Sequence, residues 1–311
     1  MKEYTLEAFA QDVGQRIDVF IMAFAKANDI GLSRTHIQKL MLDGDITLNG
    51  KGSAKPHHKI KIGDRIYISI KEKRQGTLGA QELPLDIVYE DEDLAVIDKH
   101  AGMVVHPGAG NSEHTMANAL LYRFKDLSDV NPQRPGIVHR LDKDTSGLML
   151  VAKNNFTHLK LAEKFAEHSI KRQYIALVKG RVEFDEDIIE IPIGRHPLKR
   201  KNMAAGFTEH SKYAKTYYRT VRRTDAFSVL ELTPFTGRTH QLRVHLAFLG
   251  HPILGDTKYG QNNQFVRLAL HAKYIGFTHP RSGKFMDFES EMPVEFRKFI
   301  ESQEKPPGKN K

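Results

Sequence analysis

The stretch Gly136-Ile137-Val138-His139-Arg140-Leu141-Asp142-Lys143-Asp144-Thr145-Ser146-Gly147-Leu148-Met149-Leu150-Val151-Ala152-Lys153 has two apolar ends around a polar middle. Ile137-Val138 and Leu148 to Val151 are apolar runs of strand length, so the residues between them form a loop presented on buried, rigid supports. Working outward, Leu94 to Ile97, Gly147 to Val151, Tyr174 to Val178 and Ser228 to Leu232 all read as short strands. Helical periodicity is confined to a few segments. One follows Asn154, with Leu159, Ala162, Phe165 and Ala166 on a single face. Another runs from Thr239 as cap to Gly250 as stop, with Leu242, Leu246 and Leu249 inward. Strands that do not alternate regularly with helices predict an α+β fold with a largely antiparallel sheet after Pro84.

Before that point the pattern differs. Ile17, Phe20, Ile21 and Phe24 fall at i, i+3, i+4 and i+7, the stripe of an amphipathic helix. Ser33 is placed to cap a second helix that buries Ile37, Leu40 and Met41. Asp43-Gly44 ends it, Ile46 to Leu48 is strand-like, Asn49-Gly50 is a hairpin turn, and Ile66, Ile68 and Ile70 alternate as a half-buried strand. Residues 1–70 are thus expected to form a small domain, 71–83 a linker with two glycines and a Lys-Glu-Lys-Arg run, 84–302 the main domain, and 303–311 a disordered basic tail.

Composition narrows the chemistry. The 311 residues are 40% hydrophobic and 27% charged, an ordinary globular balance that excludes fibrous or largely disordered chains. With no Cys, there are no disulfides, thiolate zinc sites, iron–sulfur clusters or cysteine nucleophiles. The apolar run Val19 to Ala25 is too short to span a bilayer and lies between Asp18 and Lys26, which reads as a soluble cytoplasmic protein without a membrane partner. The net charge of +9 points to a polyanionic partner. Between Arg195 and Arg223 nine basic residues, Lys199, Arg200 and Lys201 among them, face the single acidic Glu209.

Three segments carry candidate chemistry. The first is the loop with His139, Arg140, Asp142 and Asp144, although Asp, Thr, Ser and Gly are also ordinary turn residues. In the second, Thr236 to His245, Gly237 permits a tight backbone and Arg238 precedes a helix N-terminus, where an anion is favoured. His240 and His245 are five apart, which on a helix turns them away from one another, so no metal site is expected. The third is Lys171-Arg172-Gln173-Tyr174, in a strand whose Tyr174, Ala176 and Val178 share a face; Tyr174 there stacks on a base or belongs to the core. Neither GxxxxGK[ST] nor GxSxG occurs. The readings left are an enzyme without metal or cofactor that uses carboxylate, Arg and Tyr on a polyanion, and a plain RNA-binding protein.

At His139-Arg140-Leu141-Asp142 with Thr145-Ser146-Gly147-Leu148, the chain resembles the RluA-type family of RNA pseudouridine synthases. The resemblance continues through Gly102 to Gly110, Tyr174, Arg195-His196-Pro197, Thr236 to Gln241, Gly255-Asp256, Tyr259-Gly260 and Leu270-His271-Ala272. The first 70 residues resemble the alpha-L RNA-binding domain through Arg16-Ile17-Asp18, Ser33-Arg34-Thr35 and Ile46 to Gly50. Together the two are similar to the synthase D branch, which modifies the helix 69 stem-loop of large-subunit ribosomal RNA. The resemblance implies Asp142 as catalytic carboxylate, Arg238 as its ion-pair partner, Tyr174 beneath the target uracil, and Arg140 entering the stack where the uridine leaves. His139, Arg34, Lys39, Lys199, Arg200 and Lys201 are the further residues expected at the RNA, with a monomer, no metal and no cofactor. A carboxylate works as nucleophile or base when ionised, the form a neighbouring guanidinium favours. The chain departs from the family at His100, where Pro is usual, and at Phe235, where an acid is common. The alternatives are a non-catalytic RNA-binding protein, a synthase acting on tRNA or another ribosomal site, and a metal-dependent nuclease.

Overall fold

The computed structural model describes residues 2–28, 30, 34–53, 55–70, 78–108, 110–198, 202–206, 208–260 and 265–303. The chain divides into two compact units, Met1–Thr77 and Leu78–Lys311. Among the described residues no helix is long and apolar enough to cross a membrane.

The first unit is an antiparallel sheet with two helices. Its elements are β1 (Lys2–Glu7), α1 (Ile17–Ala27), α2 (Arg34–Leu42), β2 (Ile46–Leu48), β3 (Lys51–Ser53) and β4 (Arg65–Ile70), and the strand order is β1-β4-β2-β3. Strand β1 was not expected; its Tyr4, paired with Ile68, packs against the core beside the buried Leu6, paired with Ile66. Ile17 and Ile21 of α1 are fully buried, Phe20 and Phe24 flank them, and Ile37, Leu40 and Met41 of α2 close the core. Asn49 and Gly50 both take positive φ, as a tight hairpin turn between β2 and β3 requires. Ser33, expected to cap α2, lies outside the described residues.

The second unit is built on β5 (Asp86–Glu90), β6 (Leu94–Lys99), β7 (Ser146–Ala152), β8 (Lys171–Lys179), β9 (Glu186–Glu190), β10 (Ile193–Arg195), β11 (Met203–Ala205), β12 (Lys215–Arg223), β13 (Phe227–Pro234), β14 (Leu270–Thr278) and β15 (Phe285–Glu289). The main sheet runs β5-β6-β7-β14-β8-β13-β12-β9, with β15 on β14 and β10-β11 as a separate hairpin. Only the β7–β14 pair is parallel among these described strands. Helices α3 (Met116–Arg123), α4 (Asn155–Ala166), α5 (Gln241–Phe248) and α6 (Val294–Ser302) complete the unit. This is a mixed fold with a large, mostly antiparallel sheet, as expected.

Two helix faces differ from expectation. Asn154 does cap α4, accepting the Thr157 N–H at 2.9 Å, but the inward face is Thr157, His158 and Leu161; Leu159, Ala162 and Ala166 are exposed and Phe165 is half-buried. Thr157 is tolerated inside because its hydroxyl donates to Asp93. In α5 the cap is His240, not Thr239; Leu242 and Leu246 are buried, whereas Leu249 is exposed. Of the expected linker, residues 71–77 lie outside the described set, and 78–83 are packed onto the second unit, where Leu78 joins the core and Gln81 bonds to Asn118 and His114. Gln303 closes α6, and 304–311 lie outside the described residues.

Candidate active site

The polar loop is anchored at both ends. Ile137 bridges to Val151, and the Ala152 N–H donates to the Gly136 carbonyl. Where β7 leaves β14, Gly147 sits at φ 111° and a Cβ there would collide with the Ala272 backbone, so only Gly permits this crossing. The Thr145 N–H closes a turn onto the Asp142 carbonyl at 3.2 Å, and the next carbonyl, that of Lys143, accepts from Gly102 N–H and from Lys99 Nζ, each at 2.9 Å. Lys99 is fully buried and also donates to the His100 and Met103 carbonyls. Burial lowers its pKa to about 8 against the pull of Asp144 and Asp142. Three carbonyls thus gather on one buried ammonium, which fixes the loop behind Asp142.

The segment after β13 is knitted by Gln241. Its side-chain oxygen accepts from the Thr236 hydroxyl and the Arg238 N–H, and its nitrogen donates to the Lys215 carbonyl and the Thr216 hydroxyl. His240 is forced into the left-handed region at φ 56°, and α5 starts at the next residue. That start sets the phase of the helix, and Arg243 projects toward the loop. Arg243 Nη1 donates to Asp142 Oδ2 at 2.9 Å, while its Nε and Nη2 grip Asp256 at 2.8 and 2.9 Å. The Asp256 side chain has no exposed surface and also accepts the Lys258 and Tyr259 N–H groups. Burial works against both charges, but their mutual pairing prevails, holding the Arg243 pKa raised and the Asp256 pKa lowered.

The expected ion pair between Arg238 and Asp142 is therefore corrected: the partner is Arg243. Arg238 precedes the helix and donates through Nε to the Tyr213 carbonyl at 2.9 Å. It still lines the cavity, as does His240, whose Nε2 lies 3.8 Å from Asp142 Oδ1 and whose Nδ1 is 2.7 Å from the Tyr259 hydroxyl. Burial lowers the His240 pKa, with Asp142 as a weaker opposing influence. Tyr174 belongs to the core and also forms part of the cavity wall; burial raises its pKa. The cavity these groups enclose measures about 120 Å³, near the ~150 Å³ that accepts one benzene-sized ring.

His139 braces the loop: its Nε2 accepts the Leu150 N–H at 2.8 Å and its ring stacks on Phe165 at 4.5 Å, which ties the loop to β7. Burial, then Arg172, lowers its pKa to about 3. Arg140 is exposed at the cavity mouth, 3.4 Å from His106 Nε2. Arg34 donates to Asp18 in the first unit, together with Arg16 and Gln38. Lys199, Arg200, Lys201 and the Lys39 side chain lie outside the described residues. Sequence reasoning missed Arg243, Asp256 and Lys99. Arg243 stands in the quoted Thr236 to His245 segment, five residues after Arg238, and the position of the helix start was the signal that separates the two.

The site can hold a carboxylate in fixed orientation beside a ring-sized space flanked by guanidinium groups. Comparison with known proteins agrees with that chemistry. A family model described as RNA pseudouridylate synthase matches residues 93–248. The chain is 39% identical over 308 residues to an uncharacterized RNA pseudouridine synthase, YlyB, of Bacillus subtilis, covering 98% of this chain and 99% of that one. It is 42% identical over 280 residues to the ribosomal large subunit pseudouridine synthase D of Zymomonas mobilis, covering 86% and 88%. Among solved structures it is similar to human RNA pseudouridylate synthase domain containing 1, with a TM-score of 0.57 at 25% identity, covering 73% of this chain and 98% of that one.

Proposed function

The chain belongs to the RNA pseudouridylate synthase family, and from that premise we propose that it isomerises specific uridines of large-subunit (23S) ribosomal RNA, in the stem-loop of helix 69. It is an isomerase acting on RNA. Several of the similar proteins, that of Zymomonas mobilis among them, carry the name ribosomal large subunit pseudouridine synthase D, which supports the choice of RNA.

In the reaction the bond from uracil N1 to the sugar breaks, a bond from ring carbon 5 to the same sugar carbon forms, the carbon 5 proton leaves, and N1 gains one. Nothing is gained or lost overall. The observation that carries the proposal is the Asp142 carboxylate, held by Arg243 at the edge of a cavity walled by Tyr174. A uridine in a stack cannot reach such a cavity, so the nucleotide flips out, at a cost of a few kcal/mol that phosphate contacts offset. Tyr174 lies beneath the uracil, Asp142 acts on the nucleotide, and Arg140 at the mouth takes the place the base vacates. Arg238, in the cavity lining, contacts the RNA. In this reading the first unit is an alpha-L-type RNA-binding domain presenting Arg34 and Lys39, the Lys199-Arg200-Lys201 run follows the RNA backbone, and the protein works as a monomer.

Incubating the full-length protein with a helix 69 fragment and mapping pseudouridine tests the proposal. Conversion of loop uridines is expected. Conversion confined to tRNA or to another ribosomal fragment would overturn the choice of substrate, and binding without conversion would overturn the catalytic role of this site.

A further inference from the structure

Among the described residues Arg172 has no carboxylate partner. It lies two residues before Tyr174 on β8, so the two side chains share one face of the strand. Its guanidinium lines the same cavity. Nη2 makes a long 3.4 Å bond to the Pro234 carbonyl, Nε is buried without a partner, and the group lies over the Phe165 ring at 5.7 Å. Nη1 stands against Gly237, where an added Cβ would lie 3.4 Å away; the absence of a side chain there keeps this flank open. Of the other arginines of the cavity, Arg243 is engaged by two carboxylates, whereas Arg238 and Arg140 have neutral partners, the Tyr213 carbonyl at 2.9 Å and His106 at 3.4 Å. Asp142 is the one carboxylate in the cavity lining, and it is held by Arg243.

Arg does not discharge at any working pH, so it cannot escape an unfavourable site by losing its proton. A guanidinium in a cavity wall, with Nη1 at the open Gly237 flank and no carboxylate partner among the described residues, is placed to pair with an anion that arrives with the ligand. We propose that Arg172 anchors a phosphodiester of the bound RNA at the Gly237 edge of the cavity, next to the nucleotide whose base rests on Tyr174. The inference rests on the RNA-modifying reading above. In RNA the phosphodiester is the anionic group, and two residues along a strand span about 6.6–6.8 Å, a distance on the scale that separates a base from the phosphates of its own nucleotide. Arg172 is then a positioning residue: it fixes the backbone while Asp142 acts on the nucleotide.

The test uses the full-length protein and a ribosomal RNA fragment on which the wild type forms pseudouridine. Affinity is measured at several salt concentrations for the wild type, Arg172→Gln and Arg172→Lys. Arg172→Gln is expected to weaken binding about tenfold at low salt and to flatten the slope of log Kd against log salt by about 0.7–0.9, the increment for one phosphate contact. The single-turnover rate at saturating RNA should change less than Kd does. Arg172→Lys should restore the slope, and part of the affinity, because a point charge lacks the planar fork. An unchanged slope in Arg172→Gln would overturn the proposal, since a contact to a uracil carbonyl or a purely structural role releases no counterion. A second arm leaves the protein intact. Phosphates flanking the target uridine are replaced singly by methylphosphonates, and one linkage should cost the wild type the affinity that Arg172→Gln has already lost. If no linkage does so, the proposal fails. A wild type that converts no uridine in any ribosomal fragment would instead refute the functional reading, which separates the two failures.

Discussion

Removing Arg243 should damage stability and catalysis by separable routes. Arg243→Gln leaves the Asp256 carboxylate, with no exposed side-chain surface, without its counter-charge. Breaking a buried pair from one side commonly costs about 3–5 kcal/mol. For a domain of this size each kcal/mol is worth roughly 2–4 °C, so the melting temperature should fall by roughly 6–20 °C. The second loss is the Nη1 bond to Asp142. A hydrogen bond to a charged group contributes about 1.5–3 kcal/mol, equivalent to roughly 10- to 150-fold in rate. The double variant Arg243→Gln, Asp256→Asn separates the two, because Asn keeps an oxygen for the Lys258 and Tyr259 N–H groups while no charge is left stranded. Calorimetry and single-turnover pseudouridine formation should show melting largely recovered and turnover still depressed. Recovery of both together would refute the reasoning, because Arg243 would then serve only to satisfy Asp256.

Asp142→Asn removes the carboxylate at nearly constant volume, so product formation should be lost while RNA affinity stays within a few-fold; turnover at near-normal rate would reject Asp142 as the catalytic group. Arg238→Gln, which leaves the Asp142 pair intact, should weaken RNA binding and slow turnover less than Arg243→Gln does, and the reverse ranking would restore Arg238 as the partner of Asp142. Lys99→Met orphans the His100 and Met103 carbonyls at about 1–3 kcal/mol each, while the Lys143 carbonyl keeps the Gly102 N–H; removal of a buried charge that costs about 3 kcal/mol for a shift from 10.5 to about 8 offsets part of this, so a net loss of at most about 3 kcal/mol is expected by denaturant titration. Between pH 8 and 10.5 the unfolded chain still holds the Lys99 proton that the folded chain has released; wild-type stability should therefore gain from rising pH across that window, and the variant should lack that gain. His139 works in the acid range: its folded pKa of about 3 means that the unfolded chain takes up a proton first as pH falls below 6.5, with a loss approaching about 5 kcal/mol near pH 3. His139→Gln keeps an acceptor for Leu150 N–H and should show a shallower acid-side fall in melting temperature, and equal profiles would contradict the buried neutral imidazole.

Much of the fold and part of the site can be read from the sequence, for reasons specific to each element. The strands at Leu94, Gly147, Tyr174 and Ser228 are apolar on both faces or nearly so, and such runs bounded by turn residues have few other structures open to them. The face of α4 was misread because one inward position is Thr157, whose hydroxyl is satisfied by Asp93, a partner 64 residues away that no local pattern reveals. The exchange of Arg238 for Arg243 has a similar origin. Which arginine meets Asp142 depends on where α5 begins, and that depends on His240 adopting a left-handed backbone, a conformation better known for Gly and Asn. Lys99 stands next to the departure at His100 and carries no local signal of its own, since its three carbonyl partners come from the backbone.

The position of β14 in the sheet has a consequence for biosynthesis. It lies between β7 and β8, yet follows both in the chain by about 90 residues or more, and Asp142 waits 101 residues for Arg243. During translation, at about 5–20 residues per second, β7 and β8 emerge many seconds before the strand that joins them. Their facing edges stand open through that interval, a template for pairing with a neighbouring nascent chain. Closure of so long a loop carries most of its entropic cost before any contact repays it. The nascent polypeptide therefore cannot hold an oriented Asp142 until α5 and β14 have left the ribosome, and competence for chemistry arrives as one of the last events of folding.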